Sequence, residues 1–178
     1  MAHAKAPPLP GWALVCLGGV MSGVWAAAVW VAAHLEADPA LHTAALFAHL
    51  ASLVVGLGAV MVVDLVGLLW LLGRRSILDV ARVVDLGHLA IWVGLAGLVL
   101  SGVLLHPDLS SPLVWLKLFL VLAVGLNGLH AHAIRQLLHR LAAPTPPRGL
   151  VARVLVAGLL SQAGWWGATL VGFLNAQS

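Results

Sequence analysis

Apolar positions in this chain run in long unbroken stretches, and polar positions collect in the short gaps between them. Five stretches, at about residues 11–35, 43–73, 83–105, 113–138 and 151–174, each reach the roughly 20 residues that a helix needs to cross about 30 Å of hydrocarbon. None alternates with the period of two that a barrel strand requires, and all are rich in Leu, Ala and Gly. The pattern predicts an all-α integral membrane bundle of five transmembrane helices in a single domain. The first stretch follows Lys5 and has the small residues of a secretory signal, but its apolar run is longer than a signal core and is read as the first membrane helix.

Composition agrees with this pattern. With 62% hydrophobic and 8% charged residues among 178, the chain has too few charges to coat a soluble globule. Lipid is therefore its expected partner. Lys5, Arg74, Arg75, Arg82, Arg135, Arg140, Arg148 and Arg153 all flank one set of loops, whereas Glu36, Asp38 and Asp108 fall in the others. The positive-inside rule then predicts a cytoplasmic N-terminus and an outer C-terminus. The net charge of +3 follows this topology and implies no nucleic-acid partner. Cys16 is the single cysteine, which excludes an internal disulfide or a cysteine metal cluster.

Ionisable residues inside a membrane are costly, so their positions carry information. Toward the outer face lie His34, His42, His49, His106 and Lys117. His42, His49 and Gly56 recur every seven residues on one helical face, which puts His49 about 10 Å below His42. Toward the inner face lie Asp64, Asp85, His88, Asn127, His130 and His132. His88 lies six residues inside Arg82, about 9 Å of helix rise, and His130 and His132 lie at a similar depth inside the arginines that end the fourth helix. Asp85, one turn before His88, is placed to orient its imidazole.

In the stretch "LNGLHAHAIRQLLHR" the two imidazoles are about 200° apart around the helix, so both cannot enter one site. His132 shares a face with Gly125 and Gly128, whose missing side chains leave room for a flat ring or a neighbouring helix. This favours His132 as the inward residue, with His130 between helices or near lipid. Ser52 with Gly56, and Gly97 with Ser101, have the spacing of small residues at close helix contacts.

Axial imidazoles, an apolar slot and small residues along facing helices are what a b-type haem needs. The expected ligands are His49 near one face and His88 with His132 near the other. No HExxH or methionine-rich array concentrates ligands on one helix, so a dedicated copper or zinc cage is the weaker alternative. Two further alternatives are a copper, cation or proton transporter using Asp64, Asp85 and the histidines, and a cofactor-free scaffold for membrane subunits. The leading expectation is a haem-binding protein of electron transfer or membrane oxidoreduction, acting alone, as a homo-oligomer or with redox partner subunits.

The stretch "GLVLSGVLLHPDLSSPLVWLKLFLVLAVGLNG", residues 97–128, resembles the CopD-like and HemJ-like bacterial membrane proteins. Its features are a helix ending in Ser-Gly, a short outer loop and a helix opening with Leu-Lys. The resemblance covers helices 2 to 5, with helix 1 as an addition. For the HemJ-like branch it implies a b-haem oxidoreductase acting on protoporphyrinogen, with a histidine on the family's first helix and a lysine opening its third, matched here by His49 and Lys117. For the CopD-like branch it implies copper handling. The chain departs from the HemJ-like pattern in its extra helix and in having no tyrosine.

Overall fold

A computed structural model describes residues 10–138 and 146–175, which form five helices: α1 (Gly11–Ala32), α2 (Pro39–Leu71), α3 (Ile77–Val103), α4 (Pro112–Leu138) and α5 (Arg148–Asn175). All five are long and apolar enough to cross a membrane, and no strand occurs among the described residues. Large apolar side chains point outward along them, Leu86 at 82% exposure and Phe47 at 76%. Such a surface is stable only against lipid.

Polar chemistry sets the helix ends. Asp38 accepts hydrogen bonds from the Ala40 and Leu41 amides with Pro39 at the first helical position, so α2 starts four residues before its apolar stretch. The Ser76 hydroxyl accepts from the Asp79 amide while the Asp79 carboxylate accepts from the Ser76 amide. This capping box starts α3 at Ile77, six residues earlier than hydropathy places it. At the end of α2, Gly73 adopts φ 71°, and the amides of Gly73 and Arg74 bond to the Trp70 and Leu69 carbonyls. That reversal requires a left-handed residue, which glycine supplies without strain.

The closest packing joins α2 to α3. A Cβ at Gly94 would lie 2.5 Å from the Gly56 Cα and 2.8 Å from the Ser52 carbonyl oxygen, and one at Gly97 would collide with the Ser52 side chain. Backbones that near gain dispersion contacts that side chains would prevent. The α4–α5 pair is built the same way, with Gly164 against Val124 and Gly167 against Leu120. Val60, Leu95, Leu98, Val124 and Trp165 form the core where α2, α3, α4 and α5 meet. Helix α1 has no buried residue and leans on α4 through the Trp25 indole, which donates to the Leu118 carbonyl at 3.0 Å.

Candidate functional site

Because α1 packs loosely and the core lies deeper, a cavity of about 460 Å³ remains between the helices toward the end that carries the 33–38 and 104–111 loops. Its walls are apolar. Small residues make much of it: Ala28 and Ala32 from α1, Gly102 from α3, Ala168 and Gly172 from α5. Its polar residues are few, namely His49, Lys117 and Thr169 together with the indoles of Trp25 and Trp165, among the described residues. A mainly apolar cavity of this size with a few polar groups has the character of a small-molecule site.

His49 is held in a defined orientation. Its Nδ1 lies 2.9 Å from the Ser101 hydroxyl, which also reaches the Gly97 carbonyl one turn earlier on α3. The ring is thereby tied to α3 through Nδ1. A ring nitrogen held in this way is how proteins prepare a histidine ligand. Gly102 keeps this wall open, since a Cβ there would sit 3.5 Å from the imidazole.

Lys117 lines the same cavity, half-buried, and among the described residues no carboxylate lines it. Trp165 is buried at 3% exposure, and its indole N–H meets no acceptor among the described residues. The Thr169 hydroxyl is used, donating to the Trp165 carbonyl at 2.8 Å.

His88 and His132, toward the opposite end of the bundle, form a different kind of place. They face each other across α3 and α4 with ring centroids 5.3 Å apart, while His130 is exposed. Both are half-buried among neighbouring side chains. Trp92 lies edge-on to His88 and occupies the space beside Gly128, where a Cβ would lie 3.2 Å from its ring. Gln136 donates to His132 Nε2 at 3.0 Å, and Asp85 forms an ion pair with Arg135 at 3.2 Å. Gly56, on the face of α2 that carries His49, is closely covered by Gly94 and the Trp165 ring. Neither His88 nor His132 lines the cavity at His49. Ser101, the partner of His49, is thirteen residues beyond His88 on α3, so about 20 Å of helix separates the two places.

The other polar positions have partners of their own. Asp64 accepts from the Gln162 amide of α5 at 2.6 Å, and Asn127 donates to the Ala157 carbonyl at 2.8 Å. His34 bonds to the Trp30 carbonyl and stacks on its ring. His139 lies outside the described residues. Among the described residues no three His, Cys, Asp or Glu side chains converge as a metal cluster.

No protein-family model, curated protein or solved structure matches the chain. The site is defined by its own geometry alone. Sequence spacing pointed to His49 and Lys117 but missed Ser101, Trp165 and Thr169. Ser101 reads in sequence as a packing residue, because its contact with His49 spans 52 positions.

Proposed function

We propose that the chain is a multi-pass protein of the bacterial inner membrane that binds b-type haem in the cavity beside His49 and serves electron transfer or membrane oxidoreduction. The observation that carries this reading is the imidazole of His49, tied through Nδ1 to Ser101 and lining an apolar cavity with small residues in its walls. A haem requires as little as one protein ligand, whereas a copper centre requires several converging side chains. The resemblance to the HemJ-like proteins independently matches His49 and Lys117, the two residues that share the cavity.

Bound there, a haem would supply one-electron exchange between ferric and ferrous iron. The chain's own residues set the conditions. Ser101 holds the His49 ring in place, and the apolar walls keep water from the ligand nitrogen. Lys117 offers its charge to an acidic substituent of the occupant, because the cavity has no carboxylate of its own. Redox partner subunits or a second copy would complete an electron path. The loop charges orient the cavity toward the outer face.

Protein made in haem-replete cells and purified into lipid nanodiscs tests the reading. It should show a Soret band, α and β bands that sharpen on reduction, and b-type haem released by pyridine. Colourless protein would refute it, and stoichiometric copper in that protein would favour the transport alternative.

A further inference from the structure

The cavity ends beneath two loops, and one residue joins them. His106, between α3 and α4, stands at φ 47°, a left-handed conformation uncommon for a residue with a side chain. Its backbone neighbours Leu105 and Pro107 both line the cavity, as does Ala32 at the end of α1. From this position the His106 Nε2 accepts a hydrogen bond from the Ala37 amide at 2.7 Å, across 69 residues. Its ring also lies parallel to that of His42 at the start of α2, with centroids 5.5 Å apart and planes within 5°. The α1–α2 loop is thus fastened to the α3–α4 loop above the cavity.

We propose that His106 is an acid-released latch, which holds these loops together while its Nε2 is unprotonated and frees the end of the cavity when that nitrogen takes up a proton. The chemistry is direct. An Nε2 that accepts from Ala37 N–H cannot carry a hydrogen, so protonation sets N–H against N–H and removes the bond. The new charge also faces the parallel ring of His42 across 5.5 Å. A proton that binds better to the open arrangement shifts the population toward it.

The other charged groups near these loops are Glu36 and Asp38 on the α1–α2 side, Asp108 on the α3–α4 side and Lys117 on α4, with His34 at the end of α1. Asp38 is engaged by the Ala40 and Leu41 amides. The Ser110 hydroxyl and amide hold the Asp108 carboxyl below the usual carboxylate range, so it stays ionised in mild acid and its turn persists while the latch opens. From Val171 to Asn175, α5 brings no charge to this end. The inference rests on the cavity and on no particular occupant, so it stands or falls apart from the haem reading.

The test uses the full chain in nanodiscs with Cys16→Ser and spin labels at Leu35→Cys and Leu113→Cys, read at about pH 8 and pH 5, the limits of the histidine range. A third label at Ala168→Cys reports access of a water-soluble nickel chelate to the cavity. Wild-type His106 should give a short, narrow distance at high pH and a longer, broader one at low pH, with chelate access rising together. His106→Gln keeps an acceptor for Ala37 but cannot charge, and should stay short at both values. His106→Ala should be long and broad at both. A wild-type distance that ignores pH, or a His106→Gln protein that still responds, would overturn the latch; a distance change without new chelate access would overturn its control of the cavity.

Discussion

At the scale of single residues, the site depends on one hydrogen bond between helices. Ser101 on α3 holds the Nδ1 side of the His49 ring at 2.9 Å. Ser101→Ala should therefore cost about 1 kcal/mol of stability, as loss of one ordinary hydrogen bond does. On the haem reading it should leave the haem bound and shift its midpoint potential, because the ligand ring loses its hydrogen-bond partner. Redox titration of the variant checks this, and an unchanged potential would remove Ser101 from the site. The sequence disclosed His49 through the cost of burying an imidazole, yet its partner lay hidden. Serine is small enough to serve helix packing, and nothing local tied it to a histidine on another helix.

At the scale of helices, membrane association depends on how near two backbones can come. Gly94 lies against the Gly56 backbone, so a methyl group on Gly94 must push α2 and α3 apart. Gly94→Ala should destabilise the bundle by about 1–3 kcal/mol, the usual cost of overpacking. Gly19→Ala, on α1 with nothing within 4 Å, should be neutral or slightly favourable. Unfolding of both in mixed detergent micelles gives the comparison, and equal stability would contradict this seam. The presence of five helices was legible because the apolar runs are long. Their starts were not, because Asp38, Ser76 and Asp79 extend α2 and α3 with polar caps that hydropathy counts as loop. Ser52 and Gly56 were readable as a packing pair, while the importance of Gly94 emerged only with the partner helix in place.

At the scale of the whole molecule, polar groups divide between two ends with different packing. One end holds an apolar cavity with His49 and Lys117, and the other holds His88 and His132 packed among Trp92, Gln136 and the Asp85–Arg135 pair. Similar depth within the sequence was enough to anticipate that His88 and His132 meet. It said nothing of the space around them, which is a property of all the neighbouring side chains at once. The charge bias of the loops predicts that a reporter fused after Ser178 behaves as periplasmic and one inserted near Pro146 as cytoplasmic. The reverse pattern would place the cavity on the cytoplasmic side. The central claim is that His49 carries the cofactor, and reduced-minus-oxidised spectra of four proteins purified side by side test it most directly. Wild type, His88→Ala and His132→Ala should retain the same b-type bands, and His49→Ala should lose them or convert them to a high-spin form; unaltered bands in His49→Ala, or their loss in His88→Ala and His132→Ala instead, would contradict the account.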